Sequence, residues 1–305
     1  MIKSITVRNY LNKEIKLELA RPEKSGLIVT SVEGLGPAKA TINVTDISTG
    51  DGGVFNSSRL DKRNIVMKLY FLQSASETIE DIRQKTYVYF PIKKKVQLTI
   101  VTDNHTTVTE GYVESNEPDI FSSNESCQIS IICPDPFFYS PVNETTSFSG
   151  IKSAFSFPFS NNSVSEPLLE MGELQNRTEQ VVVYDGNSEI GMTIHIHSLG
   201  EAENITILNV LTGEKMILNT AKLASIMGTT TGIIAGDTIV ISTIRGDKGI
   251  TLLREGVTTN ILNCLEKGSK WFTLVKGDNV FSYDAEVGAS NLQFYIENRV
   301  AYDGV

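Results

Sequence analysis

The sequence predicts a mainly β chain of two β-sandwich domains, with one prominent helix in the first. Three observations carry that prediction. Apolar residues alternate with polar ones in most segments, turn residues punctuate the second half at short intervals, and only one stretch joins capping signals to helical spacing. A length of 305 residues with 40% apolar composition suits two ordinary cores better than one.

Taken in order, Ile2, Ile5 and Val7, then Ile15, Leu17 and Leu19, then Val96, Leu98 and Ile100 mark strands with one buried face. Gly34-Leu35-Gly36-Pro37-Ala38-Lys39 opens like a dinucleotide fingerprint. Lys39 replaces its third glycine and the strand-like ATINVTDI follows, so the stretch reads as a turn. From Asp46 to Ser58 runs DISTGDGGVFNSS, which buries little and is expected to project as a long loop, with either a partner or simple mobility as its reason.

The helix is expected over residues 74–86. Ser74 and Glu77 have capping-box spacing, acids fill the first turn, Arg83 and Lys85 the last, and Ile79 with Ile82 supply an apolar edge. Further on, CPDPFFYSP (133–141) follows a clean strand, and its prolines end that strand because they cannot donate to a sheet ladder. The turn-rich, aromatic segment after Pro141 sets the domain boundary, giving domains 1–140 and 141–305. In the second domain, turns at Thr212-Gly213-Glu214, Ala235-Gly236-Asp237, Arg245 to Gly249 and Lys276 to Asn279 separate short β-branched runs, a sandwich or barrel pattern.

A net charge of -9 disfavours a protein whose task is to grip phosphate backbones, so no sequence-specific nucleic-acid binding is expected; Lys93-Lys94-Lys95 stands out as a local basic contact. Apolar runs fall short of the ~20 residues that cross a bilayer, and the charged N-terminus is unlike a signal peptide, which points to synthesis in a cytoplasm without membrane insertion. Cys127 and Cys133 lie on one strand about 20 Å apart when extended, too far for a disulfide.

Catalytic signals are sparse. His195 and His197 share one face of a strand as metal ligands would, but the same alternation sends Ile194 and Ile196 inward, and a third ligand is not evident. Arg245-Gly246-Asp247 is accounted for by turn chemistry, and Glu80 with Asp81 by the helix dipole. A nucleophile elbow, a phosphate loop and a zinc-protease helix are absent, so no catalytic residue, cofactor or metal is assigned. Trp271 and Phe272 are expected to face Phe281 and Tyr283 across a hairpin turn at 276–279, either as core packing or as a sugar platform at Trp271 and Tyr283.

Several of these stretches, in order, resemble the distal tail protein family of long-tailed bacteriophages. In the first half they are Glu33 to Pro37, the loop through Gly50-Asp51-Gly52-Gly53, the Arg63 to Leu69 strand with the following helix, and CPDPFFYS; in the second, Gly268 to Trp271, Lys276 to Phe281 and Tyr302-Asp303-Gly304-Val305. The resemblance implies a first domain that forms a ring of six copies at the distal end of a virion tail or tail-like particle. It also implies a galectin- or carbohydrate-binding-module-like sandwich outside that ring. The ring would join the tail tube protein to the tail-tip or baseplate hub protein, with receptor-binding or peripheral baseplate proteins as further neighbours. Asp46, Gly50, Asp51, Gly52, Gly53 and Phe55 would belong to an arm that reaches along the next subunit. Pro134, Asp135, Pro136, Phe137, Phe138 and Tyr139 would pin the exit from the ring domain. Two readings of other classes stand beside this one: a carbohydrate-binding module for host cell-wall glycan using the second domain, and a glycan hydrolase that needs a carboxylate pair.

Overall fold

The computed structural model describes residues 1–48, 50–122, 124–153, 172–176, 178–228 and 232–305, with the backbone alone for 149–153 and 172–176. The chain divides into two compact units: Met1–Pro141 together with Ala301–Val305, and Val142–Val300. The last five residues, assigned from sequence to the second domain, thus lie in the first unit.

The first unit contains β1 (Ile2–Asn9), β2 (Glu14–Glu18), β3 (Leu27–Glu33), β4 (Ala40–Asp46), β5 (Gly53–Leu60), β6 (Arg63–Phe71), α1 (Ile79–Tyr89), β7 (Lys95–Thr102), β8 (Thr106–Asp119), β9 (Ser126–Cys133) and the start of β10 (Phe138–Ser147). Strands pair antiparallel in the order β2-β1-β7-β8-β9-β6-β3. The long β8 pairs with β7 through its first half and with β9 through its second, so one strand serves two ladders around a single core. A glycine at its crossover is required by space: a Cβ on Gly111 would stand 2.6 Å from Ile131 and 2.8 Å from the Cys133 sulfur.

The predicted alternation buries Ile5, Val7, Leu17, Leu98 and Ile100 against Ile65, Met67, Leu69, Ile129 and Ile131. Ile82 and Phe90 of the helix segment complete this core. The helix begins four residues later than its first capping box suggests. Thr78 and Asp81 form the box that caps α1, whereas Ser74 accepts from the Glu77 amide in a turn before it. The two boxes follow one another, and the helix that starts at the second buries Ile82 and Thr86, with Phe90 at its C-cap, in the core. Arg83 and Lys85 consequently lie mid-helix, where they pair with Glu125 and Glu77.

The second unit contains β11 (Ser149–Ser153), β12 (Gly172–Asn176), β13 (Glu179–Tyr184), β14 (Thr193–Ser198), β15 (Glu203–Asn209), β16 (Lys215–Leu218), α2 (Thr220–Met227), β17 (Thr238–Ser242), β18 (Gly249–Arg254), β19 (Val257–Asn260), β20 (Gly277–Val287) and most of β21 (Leu292–Tyr302). Two antiparallel sheets, β19-β18-β17-β14-β21 and β13-β20-β15-β16, bring their apolar faces together. Ile194, Ile239, Ile241 and Leu252 come from the first, Val182, Ile205, Ile207 and Phe281 from the second. Tyr283 of β20 stacks on Phe294 of β21 with ring centroids 3.8 Å apart.

Two features of this unit depart from the sequence reading. The expected hairpin of residues 270–275 with β20 does not form, because the partners of β20 are β13 and β15; Phe272 still meets Phe281 edge-on at 5.5 Å. Helix α2 was not anticipated. Asn219 caps it by accepting from the Lys222 amide, and Gly228 at φ +66 ends it, both ordinary signals on a helix too short to show periodicity.

Candidate assembly surfaces

The segment expected as a coil over 46–58 is the outer part of a β-ribbon. β4 and β5 pair with each other and with no other strand among the described residues. Thr41, Ile42, Val44, Thr45 and Val54 supply the β-branched legs, and the Gly-rich chemistry is confined to the tip, so composition averaged over the whole stretch concealed the strands. Val44 pairs with Phe55 and Ile42 with Ser58, while a bulge at Asn56 keeps these residues in phase. Alternation then places Ile42, Val44 and Phe55 on one face and Thr41, Asn43 and Ser57 on the other, where Asn43 donates to Ser57 Oγ at 2.9 Å. The apolar face is uncovered: Ile42 is 62%, Val44 53% and Phe55 62% exposed. Asp46 and Gly53 close the legs, and Gly50, Asp51 and Gly52 form the tip.

The 134–139 segment is tied to the first unit by Arg63. This side chain is almost fully buried, and its five hydrogen bonds all end on main-chain carbonyls: Pro136 from Nε at 2.8 Å and from Nη2 at 2.6 Å, Gly34 at 2.6 Å, Gly36, and Asp303 at 2.6 Å. Its guanidinium lies over the buried Phe138 ring, 4.3 Å from the centroid. Asp135 shapes the segment by accepting from the Phe137 amide at 3.0 Å and the Tyr139 hydroxyl at 2.7 Å. Pro134 precedes this turn, in which Phe137 is half-buried. Burial pulls the Arg63 pKa below its ordinary value, opposed by the fields of Cys133, Asp303 and Asp135. Sequence reasoning placed Arg63 in a strand and missed this role, because among Asp61, Lys62 and Asn64 it reads as an ordinary surface charge.

In the second unit, Tyr283 cannot serve as a sugar platform. It is buried, stacked on Phe294, packed edge-on to Phe148 at 5.9 Å, and its hydroxyl donates to the Leu292 carbonyl at 3.3 Å. Trp271 is half-buried and carries the Lys248 ammonium 5.6 Å from its ring centroid. His195 and His197 share a sheet face, the first stacked on Tyr295 at 4.3 Å and the second 3.1 Å from Thr238 Oγ1. Among the described residues, no group of three His, Cys, Asp or Glu side chains is arranged to hold a metal. Cys127, Cys133 and Cys264 are free and buried, and burial pushes the Cys127 thiol up to about 12, the reverse of what a nucleophile needs.

The described chain is therefore a two-unit β-sandwich protein with a projecting ribbon, and its most evident surface feature is apolar rather than catalytic. Its fold is similar to that of the Dit protein of phage SPP1, a protein described as a paradigm of the hub adsorption apparatus in phages infecting Gram-positive hosts. That match has a TM-score of 0.62 at 12% identity and covers 97% of this chain and 98% of the other. Phage P2 baseplate structures in the activated conformation also match, at 13% identity and TM-score 0.44, covering 100% of both chains with Ca and 99% of both with Sr. No protein-family model and no curated protein sequence matches the chain. The resemblance to distal tail proteins read from sequence thus holds at the level of the fold.

Proposed function

We infer that the protein is a structural component of a phage tail or tail-like particle, a distal tail hub that acts by assembly rather than chemistry. The observation that carries this reading is the β4–β5 ribbon. A lone two-stranded ribbon is marginal in water, and this one exposes Ile42, Val44 and Phe55 on one face. Such an element is completed by a partner. A second copy of the chain, docked head to tail through differing donor and acceptor surfaces, repeats into a ring where the rotation between copies closes. The match to the SPP1 hub fold supports the structural reading; the homo-hexamer between the tail tube protein and the tip or baseplate hub protein, with peripheral baseplate or receptor-binding proteins outside, is what the resemblance in sequence implies. In this reading the 134–139 segment fixes the departure of the second unit.

Light scattering on the full chain across a concentration series tests it. The expected result is one closed oligomer of fixed mass that becomes monomeric when residues 46–58 are removed. A monomer at every concentration, for both proteins, would sink the self-assembly reading. The carbohydrate-binding reading has lost Tyr283 to the core and keeps only a half-buried Trp271, so no specific observation favours it.

A further inference from the structure

The first unit carries a second uncovered surface, made by two short connections. The β1–β2 turn presents Tyr10 and Leu11, which are 51% and 57% exposed, with Lys13 beside them. Buried Asn9 fastens that turn: its side-chain oxygen accepts from the Leu11 and Lys13 amides at 2.9 and 3.0 Å, and its Nδ2 donates to the Val88 carbonyl at 2.8 Å. After α1, the chain turns through Ile92, Lys93 and Lys94, and the Lys94 ammonium lies 5.3 Å from the Tyr10 ring centroid. The Lys93 amide donates to the Val113 carbonyl at 2.8 Å, so the connection is held on the sheet.

Two details set this patch apart from ordinary surface. Lys93 adopts φ +65, where glycine costs less, so a charged side chain is presented at a strained position. Lys13, Lys93 and Lys94 also form no salt bridge among the described residues, although neighbouring Lys95 pairs with Glu110 at 2.7 Å. The ribbon is the electrostatic converse. Its outer part carries only Asp46 and Asp51 as charged residues, flanking the tip beside exposed Ile47, Val54 and Phe55, while Arg59 sits at the base of β5 next to Asp61.

We propose that the acidic, apolar tip of the ribbon of one copy seats on the Tyr10, Leu11, Ile92, Lys93 and Lys94 patch of the next copy. The inference rests on the self-assembly reading and names the acceptor surface it lacks. Ribbon and patch are both exposed within a single chain, so neither covers the other in cis and the contact is made in trans. Opposite charge sets the register and apolar area supplies the holding force. Because donor and acceptor differ, the contact is heterologous and propagates around a ring.

Charge reversal tests this on the full chain by sedimentation velocity. One variant carries Asp46→Lys and Asp51→Lys, the other Lys93→Glu and Lys94→Glu. Each alone is expected to weaken self-association at least tenfold, since tip and patch then repel. An equal mixture should recover the oligomer, because each tip finds an opposite patch on the other variant. Lys93→Gly provides a control that relieves the left-handed backbone: it should leave unfolding nearly unchanged and still weaken association. An oligomer indifferent to both reversals, or a mixture that does not recover, overturns the assigned acceptor and leaves self-assembly standing. Wild type that stays monomeric at all concentrations overturns both. Binding of anionic vesicles through Lys93 and Lys94, with the oligomer unmoved by either reversal, overturns it in favour of a lipid surface.

Discussion

Arg63 draws distant parts of the sequence together by donating to carbonyls of Gly34, Gly36, Pro136 and Asp303. Its replacement by methionine fills the volume but strips these carbonyls of a buried donor, at about 1–3 kcal/mol each before relaxation. Arg63→Met is expected to lower the stability of the first unit by about 3–5 kcal/mol, read as an earlier urea transition of that unit with the second unit's transition unmoved. Gly34 shows the same crowding from the other side, since at φ +83 an added Cβ would lie 2.0 Å from the Asn64 carbonyl oxygen. In the second unit, Tyr283→Phe removes one hydroxyl contact and should cost little, whereas Tyr283→Ala opens a cavity beside Phe294 and should cost about 3–5 kcal/mol. If Tyr283→Ala left thermal unfolding unchanged, the stacked core described here would be wrong.

Among elements, α1 gives a prediction that distinguishes its two candidate caps. Thr78→Ala should cost about 1 kcal/mol and Ser74→Ala clearly less, because only Thr78 accepts from the amide of the first helical turn. The hydrogen bond from the Thr78 side chain, followed by that from its amide, lowers the Asp81 pKa below its ordinary 3.8. A lowered carboxylate stabilises the fold above its unfolded value, and that contribution is lost as pH falls through the folded value. The stability difference between wild type and Asp81→Asn should therefore shrink on acidification from about pH 5 to about pH 2. For the ribbon, Phe55→Ser should leave unfolding within about 0.5 kcal/mol of wild type, because most of the side chain is uncovered. Loss of oligomer mass without loss of stability is the expected signature.

At the scale of the whole chain, the first unit is completed by residues that come last in the sequence. The Val305 amide donates to the Leu35 carbonyl at 3.0 Å, Asp303 receives Arg63, and Tyr302 packs on the first unit's core and against the His105 ring at 5.4 Å. Deleting Tyr302–Val305 is thus expected to destabilise the first unit and spare the second. Two-stage urea unfolding checks this: a shift confined to the second unit's transition would contradict the division of the chain.

What the amino-acid sequence determined by itself was the local content. Alternation at Ile5 and Val7 or Leu98 and Ile100 reports a strand because side-chain direction has period two wherever one face is buried. Proline at 134 and 136 reports the end of a strand because a missing donor acts wherever the chain runs. Tertiary structure alone decided which strand pairs with which, and hence that β20 joins β13 and β15 instead of residues 270–275, because ladders depend on partners far away in sequence. It also decided that α1 starts at Thr78 instead of Ser74, since the core sets where the helix begins. The same reason hid the candidate surface: exposure of Phe55 and Val44, burial of Tyr283, and the keystone role of Arg63 are properties of neighbours, and neighbours are set by the fold.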